Sequence, residues 1–224
     1  MGVFDHIRGV LADQLFCGIA AVHRAGVLHR DIKPHNVVVV REEDGVETAK
    51  LVDLGLAKPL KGKYRTLTAR ETAIGTPAFM SPEQVTGSAP ADVRADVYSA
   101  AATFVAFASG RTLYDDRGAA VLAAVVERRR LPVAEVARDL PPRTCEVLER
   151  ALSFEPDARY DTILGFASAL AASFGGQSYS AGLDGYDDAD TLPEAQRVTV
   201  RMGVVGSGVS AERLTRGGGG EGKA

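Results

Sequence analysis

His29-Arg30-Asp31-Ile32-Lys33-Pro34-His35-Asn36 packs a carboxylate, two cations and a carboxamide into eight positions, directly behind an apolar helical run. Phosphoryl transfer needs residue types of this kind: a carboxylate near the acceptor hydroxyl, oxygen ligands for magnesium, and cations against phosphate charge. Taken singly, each residue has a plainer reading. An Asp or Asn ahead of a strand is usually a turn or cap residue, a lone histidine packs in a core, and an arginine is a solvated cation. The neighbouring chain decides between these readings.

Upstream, Leu11, Leu15, Ile19 and Val22 recur at spacings of four, four and three, one face of an amphipathic helix with Gly26 as its stop. Downstream, Val37 to Val40 and Ala49 to Val52 flank the polar stretch Arg41 to Thr48, with Gly45 as turn former. This predicts a small hairpin that sets Asn36 and Asp53 at neighbouring strand ends. Beyond it stand Asp53-Leu54-Gly55, Gly75-Thr76-Pro77 and Ser81-Pro82-Glu83.

In this order the motifs resemble the catalytic half of a eukaryotic-type, bacterial-like serine/threonine protein kinase, over about Leu11 to Phe174. The agreement of several motifs in context carries the resemblance, not the rarity of any one. It implies an α+β, mainly α-helical fold: a kinase-like C-terminal lobe with a β-hairpin beside the catalytic loop. It implies transfer of the ATP γ-phosphate to protein Ser or Thr, with Mg2+ as cofactor. Asp31 would accept the hydroxyl proton and Lys33 would contact the transferring phosphate. Asn36 and Asp53 would hold magnesium, and Val38 would lie under the adenine. Residues Ala57 to Ile74 match an activation loop, with Thr66, Thr68 and Thr72 as candidate phosphorylation sites and Arg30 as the phosphate's receiver. Thr76 would help position the substrate. His29 would be a packed core histidine, Asp96 a brace for the catalytic loop, and Glu83 a buried partner of Arg159. Two positions depart from the family's usual pattern: Leu54 stands where Phe is common and Ala101 where Gly is common. Neither removes a chemical group.

Asp96 to Ser109 is apolar nearly all round, which predicts a buried helix. Further helices are predicted over Ala119 to Arg129, Pro132 to Arg138, Arg143 to Leu152 and Thr162 to Phe174. From Gly175 the composition turns to Gly, Ser and Asp, so residues 1–174 are expected to form the kinase-like domain and 175–224 a flexible tail. Gly206-Ser207-Gly208 is not a phosphate loop, because Ala211 stands where a third glycine would be needed.

The 224 residues carry 46% hydrophobic and 25% charged side chains with a net charge of −3, which argues against a general nucleic-acid role. The opening lacks a basic-then-apolar signal, His6 excludes myristoylation, and Val97 to Ala108 is too short to span a bilayer. Cys17 and Cys145 form no metal-ligand cluster and read as buried hydrophobes in a reducing compartment. A cytoplasmic chain without membrane attachment is expected.

Only 28 residues precede His29, and they contain no glycine-rich loop or strand lysine of the kind that clamps ATP. The expectation is therefore a truncated large lobe, inactive alone. The alternatives are a non-catalytic binding or scaffold module, and a half-enzyme that pairs with a separate small lobe. Besides a protein substrate, the expected partner is that lobe or a second copy, meeting the open interlobe face.

Overall fold

The computed structural model describes residues 14–41, 47–53, 58–59 and 77–174. The expectations for Leu11, Gly45, Leu54, Thr66, Thr68, Thr72, Thr76 and the segment from Gly175 onward lie outside these residues. The architecture is α+β and mainly helical, with a two-stranded hairpin next to the loop at 29–36.

Helix α1 (Phe16–Arg24) buries Phe16, Ile19, Ala20 and Val22 along one face. It stops because Gly26 turns to φ 73° and its N–H reaches the His23 carbonyl at 2.9 Å, a conformation that a side chain would strain. The chain then forms β1 (Val27–Leu28) and a one-turn 3-10 helix at Pro34–Asn36. Strands β2 (Val37–Arg41) and β3 (Glu47–Leu51) follow, antiparallel, with Val37 opposite Leu51 and Arg41 opposite Glu47. The expected second strand ran to Val52. Pairing instead starts two residues earlier and leaves Val52 half out in solvent.

Strand β4 (Lys58–Pro59) pairs antiparallel with β1, Val27 opposite Pro59 and Leu28 opposite Lys58. This ribbon was not legible beforehand, since two-residue strands have no readable alternation. It ties the start of the predicted activation segment to the root of the catalytic loop.

Short helix α2 (Pro82–Thr86) opens on a capping box between Ser81 and Gln84. Helix α3 (Val93–Ser109) is capped by the Asp92 carboxylate, which accepts from the Arg94 N–H at 2.8 Å, and closes on Gly110 at φ 67°. Every residue from Ala95 to Val105 is buried, as the apolar run predicts. Its small Ala100, Ala101 and Ala102 let neighbours approach closely, so α1, α6 (Pro142–Ala151) and α7 (Ile163–Ser173) all pack around it.

Helices α4 (Ala120–Val126) and α5 (Val133–Val136) are shorter than their apolar patterns suggested. Arg128 takes φ 57°, which ends the first, and Ala137 leaves helical geometry at φ −119°, which ends the second. The rings of Phe16 and Phe166 lie 5.3 Å apart and join α1 to α7. No helix of the described residues is long and apolar enough to cross a membrane.

Candidate active site

The loop at 29–36 is gripped from beneath. Asp96, with no exposure to solvent, accepts from the His29 N–H through Oδ2 and from the Arg30 N–H through Oδ1, both at 2.9 Å. His23 Nε2 lies 2.7 Å from the same Oδ2. The Arg30 carbonyl accepts from Gln84 Nε2 at 3.1 Å. Arg30 therefore has its peptide groups held on both sides while it sits at φ 66°, a left-handed conformation costing about 1–2 kcal/mol for a residue with a Cβ. The hydrogen bonds offset that strain, and the turn they fix aims the next residue, Asp31.

Around Asp31 the predicted residues converge. Lys33 Nζ donates to both carboxylate oxygens, at 3.0 and 2.7 Å. Asn36 Nδ2 donates to the Asp31 carbonyl at 2.7 Å and to its Oδ2 at 2.9 Å. Because the nitrogen end of the Asn36 amide is taken by Asp31, its Oδ1 is turned to the other side and keeps acceptor capacity for a cation. The Asn36 carbonyl accepts from the Val52 N–H at 2.8 Å, extending the hairpin ladder by one bond. That bond brings the next residue, Asp53, to the side of the loop. Asp53 is exposed and takes φ 64°, a conformation that aspartate tolerates better than most side chains.

Arg30 and Asp53 thus both stand in the left-handed region, and such strain concentrates at functional sites. A carboxylate and a carboxamide oxygen are hard donors suited to magnesium, which keeps water and phosphate oxygens in its remaining positions. The described residues contain no cluster of three or more His, Cys, Asp or Glu that could enclose a metal ion by itself. A two-ligand site of this kind fits magnesium and does not fit a protein-only cage.

His29 is fully buried, and burial holds its imidazole below the usual 6.5 in spite of the opposing pull of Asp96, Asp31 and Asp53. Its Nδ1 is 3.4 Å from the Asp31 N–H and acts as acceptor, while Nε2 has no hydrogen-bond partner among the described residues. The imidazole packs beneath the carboxylate as a neutral group. Glu83 and Arg159 form a buried bidentate pair, both bonds 2.8 Å. Arg159 also donates to the carbonyls of Ser153, Arg94 and Phe154, so all five guanidinium N–H groups have acceptors.

Val38 is 42% exposed on the open side of the hairpin, beside Val39 at 47% and close to Val52 at 40%. Thr66, Thr68, Thr72 and Thr76 fall outside the described residues, so their distances from Arg30 and Asp31 are undefined. Two residues of the clamp escaped sequence reading. Ser81-Pro82-Glu83-Gln84 carries the spacing of a capping box, and Gln84 Oε1 does accept from the Ser81 N–H at 3.0 Å. That spacing gives no hint that the other end of the amide reaches Arg30. His23 had only its helical position, and nothing marked the contact with Asp96.

Residues 5–171 match the protein kinase domain model. The chain belongs to the protein kinase domain family. Among its relatives, the serine/threonine-protein kinase Pkn1 of Myxococcus xanthus is 34% identical over 158 residues, 70% of this chain and 22% of that protein. Serine/threonine-protein kinase PknL of Mycobacterium tuberculosis is 33% identical over 156 residues, 69% of this chain and 37% of that one. The probable serine/threonine-protein kinase PknB of Corynebacterium glutamicum is 31% identical over 168 residues, 73% of this chain and 25% of that one. The chain thus spans between 22% and 37% of the length of these curated relatives.

Proposed function

We propose that this chain supplies the acceptor-side and metal-side machinery of a protein serine/threonine kinase. The observation that carries the reading is the Asp31 carboxylate, fixed by Lys33 and Asn36 within one loop whose hydrogen-bonded neighbour strand leads through Val52 to Asp53. In the reaction, the hydroxyl oxygen of a protein Ser or Thr bonds to the γ-phosphorus of ATP. The bond to the β–γ bridging oxygen breaks, ADP leaves, and Asp31 takes the hydroxyl proton. Lys33 moves from Asp31 toward the transferring phosphate and meets its charge. Asn36 Oδ1 and the Asp53 carboxylate would hold Mg2+, which supplies positive charge against the phosphates.

Thr66, Thr68 and Thr72 remain the proposed phosphorylation sites of the activation segment, with Arg30 as the receiving cation, and Thr76 the proposed substrate-positioning residue. Cys17 and Cys145 are both buried, which suits a reducing, cytoplasmic setting. Residues 1–174 are proposed as the kinase-like domain and 175–224 as its flexible tail.

A second reading is favoured by the exposed valines. Val38, Val39 and Val52 are three of the four large hydrophobics standing exposed among the described residues, and all three belong to the hairpin region. Val38 and Val39 are successive strand residues and point to opposite faces of the hairpin, so both faces would be covered in the working protein. Adenine and a small lobe would provide the cover, the lobe joined in the same polypeptide or supplied by a separate one. A non-catalytic scaffold would need the valines but not the arrangement around Asp31.

A magnesium titration of the full chain, followed by amide NMR, tests the metal-side claim. Shifts centred on Asn36 and Asp53 that vanish in Asp53→Ala support it. Equal shifts in the variant, or none in either protein, would remove the metal site from the account.

A further inference from the structure

A cavity of 470 Å³ lies between α4 with its following loop and the end of α6. Its volume falls in the range of small-molecule sites. Tyr98 and Tyr114 both line it, and their hydroxyl oxygens are 3.1 Å apart. Between them the two phenols own two protons and share a single hydrogen bond. Whichever phenol donates to the other, one of the two protons is left outside the pair, and both residues line the cavity. Burial pushes both phenols above the usual 10.0, so neither loses its proton near neutrality.

The charges around this donor balance, and one of the two ion pairs is open to exchange. Arg130 pairs with Glu149, and Arg128 pairs with Glu155 at 2.9 Å. Glu149 is held in place, since its Oε1 accepts from the Val133 N–H at 2.6 Å. Glu155 is not: its side chain is 66% exposed, and a surface pair of this kind is easily exchanged. Arg128 stands at φ 57° and lays its guanidinium 3.8 Å from the centroid of the Phe154 ring at the cavity's edge. Pro82, Val125, Leu152 and Phe154 supply apolar wall.

We propose that this cavity binds a small organic monocarboxylate with an apolar body, its carboxylate accepting the proton left over from the Tyr98–Tyr114 pair and facing Arg130 and Arg128. On binding, Glu155 swings into solvent, so one negative charge replaces another. A dianion such as phosphate lacks the second open cation and gains nothing from the apolar wall. The site shares no residue with the loop at 29–36, and it stands or falls independently of the kinase reading.

The probe is benzoate added to the full chain, followed by calorimetry and by tyrosine emission, which no tryptophan obscures because the chain has none. Benzamide and inorganic phosphate are the comparators. Benzoate should bind about tenfold or more tightly than either, the size expected for a charge-assisted hydrogen bond. Glu155→Gln removes an exposed competing carboxylate without threatening the fold, and should tighten benzoate by about twofold to fivefold. The double variant Tyr98→Phe with Tyr114→Phe should weaken it by about tenfold. Absence of saturable binding at tens of millimolar benzoate, with water alone in the cavity, would overturn the proposal. So would equal binding of benzoate and benzamide, or an affinity that Glu155→Gln leaves unchanged.

Discussion

The Asp96 carboxylate accepts from the Arg30 N–H at 2.9 Å, across 66 residues of chain. The same carboxylate takes the His29 N–H and meets the His23 ring nitrogen, so a single buried side chain ties the loop at 29–36 to the central helix α3. The loop's shape is therefore set from below rather than by its own sequence.

Replacing Asp96 by Asn measures that grip. The amide keeps one oxygen but turns its NH2 toward groups that are themselves donors. Each buried donor left unsatisfied costs about 1–3 kcal/mol. Urea unfolding should show a lower midpoint with an unchanged slope. A midpoint equal to that of the parent protein would mean the clamp contributes nothing to the loop's placement.

Arg159 tests a different kind of buried charge. Removing one partner of a buried pair costs about 3–5 kcal/mol, and Arg159→Met should lose at least that. Elsewhere a double replacement by apolar residues can restore stability, because both charges go together. Here it should not. Arg159 also satisfies the carbonyls of Ser153, Arg94 and Phe154, and these stay buried when Glu83 is replaced as well. Glu83→Leu combined with Arg159→Met should remain clearly less stable than the parent in thermal unfolding, and full recovery would show that the three carbonyls find other donors.

The buried imidazole of His29 gives a pH signature. Its folded value lies below the unfolded 6.5, so between the two the unfolded chain binds more protons. The stability that His29 contributes is complete above about 6.5 and is lost as pH falls through the folded value. The difference in unfolding free energy between the parent and His29→Gln should therefore shrink as pH is lowered from 7. A flat difference would mean that burial leaves the imidazole unshifted, and one that grows toward acid would mean that the fold favours its charged form.

The sequence revealed most where a local pattern and a long-range role coincide. The buried helix α3 was readable because Ala95 to Val105 has no polar face to lose, and the hairpin because a valine run and a second apolar run bracket a glycine turn. The placement of Asp31, Lys33 and Asn36 together followed from their closeness in the chain. The contacts of Gln84 with Arg30 and of His23 with Asp96 span 54 and 73 residues, and no spacing within either segment encodes them. Helix ends were missed for a similar reason. The helix expected to reach Arg129 stops early, because the backbone turns left-handed at Arg128 and carries that arginine to the cavity.

The central claim is that Asp31 serves phosphoryl transfer, and one assay addresses it. The chain is joined behind the small lobe of a close relative, so that nucleotide is covered, and transfer from radiolabelled ATP to a protein substrate is followed. The joined protein should transfer phosphate at rates usual for kinases, about 1–100 per second, and Asp31→Asn should remove most of that activity while ATP binding persists. Transfer that survives Asp31→Asn undiminished would contradict the claim, as would a joined protein that folds and binds ATP yet transfers nothing.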